Sequence, residues 1–424
     1  MEKEKKKRNF SSTIWILIAL IAGIIVGLVM PDWLSGPFSF FTSIYMNALQ
    51  MMIYPLVFCS IVIGIVGIGN LAKTGKITVQ ALIWFTGTTA LAAAIGLFVP
   101  RFLHLGVGAK VVAQDYKIEA ASLTSISDTL KNIIPANPLK AFTDGNMLQV
   151  LVFAVFIGVA CLALKEKAKP VADLCQAVND ISIWIVTKIM LFIPLGIFCS
   201  ISNTIHACGA QTIIQLGGVM LAMYITFILY VLIIYGGMVK FIGHYSPVKF
   251  FHDVAPAALN AFATCSSNAT LPLSMECATK NVGIPYEIAS LTLPLGATIN
   301  MDAVSIAMSF MLTFFSNALG IPLSVGTMVT LLAANVLLSI GTPGIPNGAI
   351  AAFAALAPMA GLPVNQILAM YASVNTLADM GATCVNVLGD LACSTVLKYL
   401  LRNDIPTAEE KERQQEEEEI GEAD

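Results

Sequence analysis

Apolar segments long enough to cross a lipid bilayer follow one another along the first 240 residues of this 424-residue chain. About 20 consecutive apolar residues span the hydrocarbon core as a helix. Only 12% of the residues are charged, against roughly 25% in soluble domains. The chain is therefore predicted to be an all-α membrane protein. The six apolar segments lie at about 13–30, 41–70, 77–103, 145–164, 181–205 and 212–241.

Charge and cysteine content exclude several classes of partner. The net charge of −3 predicts no nucleic-acid partner. The nine cysteines show no CxxC spacing and lie mostly inside apolar segments, so neither a disulfide framework nor a cysteine metal site is expected.

Basic residues fall on one side of the predicted spans, which places that side in the cytoplasm. Both termini then lie in the cytoplasm, and the acidic segment 403–424 is predicted to be a disordered cytoplasmic tail. The basic positions on that side are residues 3–8, Lys73, Lys76, Lys165, Lys167, Lys169, Lys240, Lys249, Lys398 and Arg402. The connection 104–142 is mixed in charge and long enough to escape the rule.

The second half is apolar but interrupted twice by helix-breaking residues, at 262–272 and at 338–350. Each interruption precedes a long apolar helix, at about 286–315 and 364–399, and these helices share the related strings GATIN and GATCVN. Broken helices in matching positions are typical of inverted repeats that form a transporter binding site near the membrane midplane. We expect two re-entrant hairpins that enter from opposite faces.

Three aspartates are the only charged residues between Glu287 and Lys398. A buried carboxylate without a counter-charge costs several kcal/mol or stays protonated. For Asp302, Asp379 and Asp390 the counter-charge must come from a distant span, a proton, a metal cation or a cationic group of a substrate.

The helical spacing of the polar residues near Asp379 and Asp390 favours a metal cation together with the amine of a substrate as the source of this counter-charge. At about 100° per residue, one helix face carries Asp379, Thr383, Asn386 and Asp390. Carboxylate, hydroxyl and amide oxygens are the ligands of hard cations.

Asn300 and Asp302 would point to opposite sides of a regular helix, so they converge only if the helix unwinds between them. Thr88 and Thr89 of the third span could add hydroxyl groups. These two threonines fit ordinary helix packing as well.

Four motifs resemble the dicarboxylate/amino acid:cation symporter family, which has a glutamate-transporter-like fold. They are TLPLGATINMD at 292–302, SSNATLPL at 266–273, SIGTPGIP at 339–346 and DMGATCVNVLGD at 379–390.

The resemblance implies a bacterial inner-membrane homotrimer in contact with lipid. Each subunit would have eight transmembrane helices and two re-entrant hairpins within residues 1–402, and would work by an elevator mechanism. The moving transport unit would comprise about 76–104 and 212–402, and the scaffold about 10–70 and 105–210.

The resemblance also implies sodium (Na+) as the coupled ion. Phe85 stands where the family has a tyrosine in the third span. The resemblance assigns three sodium ions, in turn, to Gly296, Asn300, Asn386 and Asp390; to Thr298, Ser339, Ile340 and Thr342; and to Thr88, Thr89, Asn300 and Asp302.

For an amino-acid substrate, the resemblance places the α-carboxylate at Ser267 and Asn386 and the ammonium group at Asp379. The implied substrate-binding set is Ser266, Ser267, Asn268, Met301, Ile345, Gly348, Asp379, Ala382, Thr383 and Asn386.

Departures from the family pattern favour a small neutral amino acid: serine, threonine, alanine or cysteine. Cys265 and Ala382 stand where dicarboxylate carriers have arginine, and Asn375 replaces an acid. Val304 stands where such carriers often have threonine. Met308 stands where proton-coupled members carry glutamate, which favours sodium.

Other functions stay open at this point. A proton-driven or dicarboxylate carrier of the same fold is the main alternative to sodium-coupled uptake of neutral amino acids. An intramembrane aspartyl protease needs paired acids and admitted water, which the asparagine and threonine stripe does not suggest, so no enzyme is expected. A channel is the remaining alternative.

Overall fold

The computed structural model describes residues 15, 18–19, 21–71, 76–109, 134–144, 146–208, 211–342, 344 and 348–402. Within these residues all regular secondary structure is helical, as predicted. The basic N-terminal residues 3–8, Ile345 and the acidic segment 403–424 lie outside the described residues, so the predictions about them stay predictions.

The first part of the chain forms long helices with few interruptions. Residues 21–29 are helical. The helices that follow are α1 (Asp32–Met51), α2 (Ile53–Leu71), α3 (Lys76–Phe102), α4 (Pro138–Thr143), α5 (Met147–Leu164), α6 (Lys169–Ile189), α7 (Ile193–Cys208), α8 (Gln211–Tyr230) and α9 (Gly236–Phe241).

Two predicted spans prove to be pairs of helices, and proline explains both breaks. The segment 41–70 breaks at Met52, where Pro55 has no N–H for the carbonyl of Met51. The segment 181–205 breaks between Ile189 and Ile193, and Pro194 lies in the first turn of the new helix. The predicted third and fourth spans coincide closely with α3 and α5.

The second part contains the two predicted interruptions as helix pairs joined by short turns. The first pair is α10 (Pro247–Thr264) and α11 (Ser267–Glu276), and the second is α14 (Val325–Gly341) and α15 (Ala349–Leu356). The remaining helices are α12 (Tyr286–Ile299), α13 (Asp302–Leu319) and α16 (Val364–Leu400).

The tips of the two pairs meet. Cys265 adopts a left-handed conformation (φ 51°) that ends α10, and Ser266 caps α11 by accepting from the N–H of Ala269 at 3.2 Å. The Ser266 hydroxyl also donates to the carbonyl of Gly344 in the second pair, at 2.9 Å. Gly344 needs to lack a side chain, because a Cβ there would lie 2.8 Å from the carbonyl oxygen of Ala297.

The second-half helices form the protein interior. The apolar windows of Tyr286–Leu319 and Val374–Leu400 are 94% and 89% buried, whereas those of Gln149–Ile189 and Ile214–Phe241 are only 28% buried. Together with Lys76–Phe102, these are five segments of the described chain that are long and apolar enough to cross a membrane. The eight-span count stays a prediction, since the hairpin limbs are shorter than a membrane span.

Helix α3 approaches α13 so closely that a glycine is required. A Cβ at Gly96 would lie 2.5 Å from the carbonyl oxygen of Ile306 and 2.8 Å from Cβ of Ser309. Gly87, on the same helix, has no neighbouring atom within 4 Å of the position of a Cβ.

We therefore expect opposite effects from the same substitution on one helix. Gly96→Ala should destabilise the protein by about 1–3 kcal/mol through overpacking, whereas Gly87→Ala should be neutral or stabilise by up to about 1 kcal/mol through helix propensity. Thermal unfolding of the purified variants measures the difference. Equal unfolding midpoints would contradict the close approach of α3 and α13.

Candidate functional site

The helix formed by α12 and α13 is unwound at Asn300 and Met301, as the sequence predicts. The last turn of α12 closes with the N–H of Asn300 donating to the carbonyl of Gly296 at 2.9 Å. The first turn of α13 is capped from another helix, because the N–H of Ala303 donates to Oδ1 of Asn386 on α16 at 2.8 Å. These contacts satisfy backbone groups freed by the break.

The break brings Asn300 and Asp302 together beside the two threonines of α3. The Thr88 hydroxyl lies 3.3 Å from Oδ1 of Asn300 and 3.2 Å from Oδ1 of Asp302. The Thr89 hydroxyl donates to Oδ1 of Asp302 at 2.6 Å. The predicted convergence is confirmed, and both threonines contribute hydroxyl groups as well as helix packing.

Two tyrosines of the sixth apolar segment complete this cluster, and sequence reasoning missed them. The Tyr235 hydroxyl donates to Oδ2 of Asp302 at 2.7 Å, and the Tyr230 hydroxyl donates to the carbonyl of Thr88 at 2.8 Å. Residues five apart point about 140° away from each other on a regular helix. The π-helical turn Val231–Tyr235 brings the two rings within 5.1 Å of each other. The sequence feature that points to these residues is the presence of two tyrosines inside an apolar span, because a buried tyrosine hydroxyl needs a hydrogen-bond partner.

Asp390 joins the cluster through Asn300, whose amide donates to Oδ1 of Asp390 at 2.9 Å. Two glycines make room for this contact. A Cβ at Gly296 would collide with the Asp390 carboxylate, and a Cβ at Gly389 would collide with the Tyr235 hydroxyl. Gly296 thus packs against the Asp390 carboxylate, and its carbonyl accepts from the N–H of Asn300.

The side-chain partners of both buried carboxylates are neutral throughout the described part of the chain. Asp302 is 0% exposed and Asp390 is 4% exposed. Hydroxyl groups and one amide donate to them. Lys398, on the same helix as Asp390, donates instead to the carbonyl of Val282 at 2.9 Å. A cation bound among these oxygens would therefore supply charge that the described protein does not supply.

The donor set suits a hard cation better than a transition metal. No group of three Cys, His, Asp or Glu side chains that could hold a metal forms among the described residues. The atoms that do converge are carboxylate, amide, hydroxyl and backbone oxygens, which sodium and similar ions accept.

A small cavity of about 10 Å³ lies beside this cluster, between the hairpin tips and α16. Its lining contains one carboxylate, that of Asp379, and none of its described lining residues is Lys, Arg or His. The predicted substrate residues that line it are Ser267, Met301, Gly348, Asp379, Thr383 and Asn386, and the other lining residues are Cys265, Val304, Thr342, Gly344 and Ala349.

Other predicted residues lie elsewhere. The Ser266 side chain joins the hairpin tips, and Ala382 is buried without lining the small cavity. Asn268 borders a larger cavity of about 500 Å³, and Ile345 lies outside the described residues.

The residues predicted for the second sodium ion are only partly brought together. Thr298, Ile340 and Thr342 border the larger cavity. Ser339 is buried, and its hydroxyl donates to the carbonyl of Val336 at 2.8 Å.

Tyr235 gives a direct test of the Asp302 cluster. Tyr235→Phe removes a hydrogen bond to a charged group, typically about 1.5–3 kcal/mol. We expect the sodium concentration for half-maximal thermal stabilisation to rise at least about tenfold.

Tyr245→Phe is the matched control for this variant. Tyr245 donates to Oδ2 of Asp253 at the same 2.7 Å distance, but outside the cluster. An unchanged sodium response in Tyr235→Phe, or an equal change in Tyr245→Phe, would contradict the assignment of the cation site.

Comparison with known proteins agrees with this geometry. The profile of the Sodium:dicarboxylate symporter family matches residues 13–400. The chain is 28% identical over 395 residues to the proton/sodium-glutamate symport protein of Geobacillus stearothermophilus, covering 90% of this chain and 92% of that protein. It is 31% identical over 390 residues to the C4-dicarboxylate transport protein of Bacillus subtilis, covering 89% and 90%.

A third relative, C4-dicarboxylate transport protein 2 of Pseudomonas aeruginosa, is 30% identical over 401 residues, covering 92% of this chain and 91% of that protein. These matches span nearly the whole membrane region, including both hairpins and the Asp302 cluster. The chain is thus a transporter and not an enzyme, and it belongs to the Sodium:dicarboxylate symporter family of multi-pass membrane proteins that carry out cation-coupled symport.

Proposed function

We propose that this protein is a sodium-coupled symporter that takes up small neutral amino acids. The observation that carries the proposal is the charge of the small cavity, whose described lining has one carboxylate and no basic side chain. An α-ammonium group would pair with Asp379. The α-carboxylate would meet Ser267 at the N-terminus of α11, where the helix dipole favours a negative charge.

The rest of the cavity wall favours a short, uncharged side chain. Cys265 and Val304 line it, and neither offers a partner to a second carboxylate. A carboxylate stripped of water without such a partner is strongly disfavoured. Serine, threonine, alanine and cysteine match the charge of this lining, and as small solutes they would need the least widening of a cavity that has room for about one water molecule.

Sodium would bind among the oxygens around Asp302 and Asp390. The four hydroxyl groups and one amide that surround these carboxylates support two of the three proposed sites. The third proposed site, at Thr298 and the second hairpin, has the weaker support because Thr298, Ile340 and Thr342 border the larger cavity without Ser339. Phe85 leaves the Asp302 site without the third-span tyrosine of the family, but Tyr230 and Tyr235 add hydroxyl groups from another helix.

The names of the relatives favour a second candidate, an acidic substrate with proton or sodium coupling. Glutamate could still pair its ammonium group with Asp379, but its side-chain carboxylate would lack a basic partner in the cavity lining. A C4-dicarboxylate has no ammonium group to offer Asp379. The charge of the described lining is therefore what supports a neutral amino acid over either.

We also propose the wider architecture that the resemblance implies, a homotrimer of eight-span subunits in the bacterial inner membrane with both termini in the cytoplasm. The moving unit would comprise about 76–104 and 212–402, and the scaffold about 10–70 and 105–210. The meeting of the two hairpin tips and the deep burial of α12, α13 and α16 support one compact moving unit.

Transport by the purified protein in liposomes tests the proposed function. With an inward sodium gradient and a collapsed proton gradient, serine or alanine should accumulate and aspartate or succinate should not.

Asp379→Asn should reduce serine affinity more than about 100-fold, because breaking a buried ion pair costs at least roughly 3 kcal/mol. Asp180→Asn, which alters an exposed carboxylate bonded to Gln176, is the control. Sodium-independent succinate uptake would contradict the proposal.

The described cavity lining contains no arginine, so introducing one should change the substrate specificity. Cys265→Arg places a basic side chain in the cavity lining, so we expect weaker serine binding and a gain of aspartate binding. Cys265→Gln adds bulk without charge and should weaken serine binding without the gain. Competition against radiolabelled serine measures both effects, and aspartate binding by the unaltered protein would overturn the expectation.

A further inference from the structure

A separate cavity of about 250 Å³ lies at the far end of α3, between that helix, the end of α13 and the connection to α14. Thr88 and Arg101 are thirteen residues apart on α3, so this cavity lies roughly 20 Å from the cation cluster. Two basic side chains, Arg101 and His104, line it, and no acidic residue occurs among its described lining.

Internal hydrogen bonds fix the walls of this cavity. The amide of Asn317 donates to the carbonyl of Leu105 at 2.8 Å, and the hydroxyl of Ser316 donates to the carbonyl of Ile321. Arg101 Nη1 donates to the carbonyl of Leu323 at 3.2 Å and lies 3.7 Å from Sδ of Met328.

The guanidinium keeps donors to spare. Arginine carries five N–H donors, and within the described chain the bonds of Arg101 involve Nη1 alone. The imidazole of His104 can donate in either protonation state. The cavity lining therefore offers N–H donors to an anion.

The surroundings of the cavity place it at the membrane surface. Helix α3 has 27 residues, about 40 Å of length, which exceeds the roughly 30 Å hydrocarbon core. Phe102 is 82% exposed, and Phe98, Leu103 and Val107 are also exposed. Basic groups beside exposed apolar and aromatic side chains are typical of the headgroup region.

We propose that this cavity binds the phosphate of an anionic phospholipid, with the acyl chains lying along Phe98 and Phe102. A planar guanidinium pairs with phosphate through two parallel hydrogen bonds. A soluble phosphate ester offers the same anion, but the exposed apolar face beside Arg101 favours the lipid. The bound lipid would connect α3 to the segment that leads into α14, the first limb of the second hairpin.

Lipid-dependent thermal stability of the full-length protein in detergent tests this site. Phosphatidylglycerol should raise the unfolding temperature more than phosphatidylcholine does. Arg101→Gln should require about tenfold more phosphatidylglycerol for the same shift, the loss expected for a charge-assisted hydrogen bond. Arg101→Lys keeps the charge but loses the planar fork of the guanidinium. The phosphatidylglycerol concentration that it requires should lie between those of the unaltered protein and Arg101→Gln.

Lys188→Gln is the matched control, since Lys188 is an exposed cation that lies over the ring of Trp184, 5.2 Å from its centroid. It should respond like the unaltered protein. Unfolding temperatures in phosphatidylcholine alone show whether each variant folds, and His104→Gln gives a second test if Arg101→Gln does not.

Three results would overturn the proposal. The first is an unchanged phosphatidylglycerol response in both Arg101→Gln and His104→Gln. The second is an equal loss in Lys188→Gln, which would mean a general effect of charge. The third is full stabilisation by soluble glycerol phosphate, which would make the ligand a free anion rather than a lipid.

Discussion

Two carboxylates buried in the interior of a membrane protein, Asp302 and Asp390, accept hydrogen bonds only from neutral groups within the described chain. This interaction shapes the structure around it. Helix α12–α13 is unwound where Asn300 donates to Asp390 and lies, like Asp302, beside the Thr88 hydroxyl. Glycines at 296 and 389 leave room for a carboxylate and a phenol. Within the described residues no positively charged side chain contacts the resulting cluster of oxygens. A transported cation would supply that charge.

Broken helices also connect the cation cluster to the small cavity. Asn386 lines that cavity and at the same time caps α13 one residue after Asp302, at 2.8 Å. Met301 lines the same cavity, and its sulfur lies 3.3 Å from the amide nitrogen of Asn386. A substrate that orders Asn386 would therefore also order the segment that carries Asp302, which is the kind of contact that coupled binding of ion and solute requires.

Much of this arrangement could be predicted from the sequence. The charge shortage in the second half, the two interruptions and the unwinding at Asn300 follow from residue type and spacing. The contribution of Tyr230 and Tyr235 does not, because a π-helical turn changes which residues share a face. The side chain of Ser266 was predicted to bind substrate but bonds to Gly344, a contact between segments 78 residues apart that no local pattern reveals. The prolines at 55 and 194 mark the two helix breaks, but the apolar runs continue through both positions, so hydropathy alone predicts one span in each case.

The proposed symport requires sodium to move together with the substrate, and the most direct measurement is of radioactive sodium itself. Liposomes containing the protein, held at zero membrane potential, are given serine outside with equal sodium on both sides. The account predicts that serine drives radioactive sodium inward in a fixed whole-number ratio to serine, and that no such entry occurs without serine. Serine entry with no sodium entry would contradict it, since the buried acids would then be neutralised by some other means.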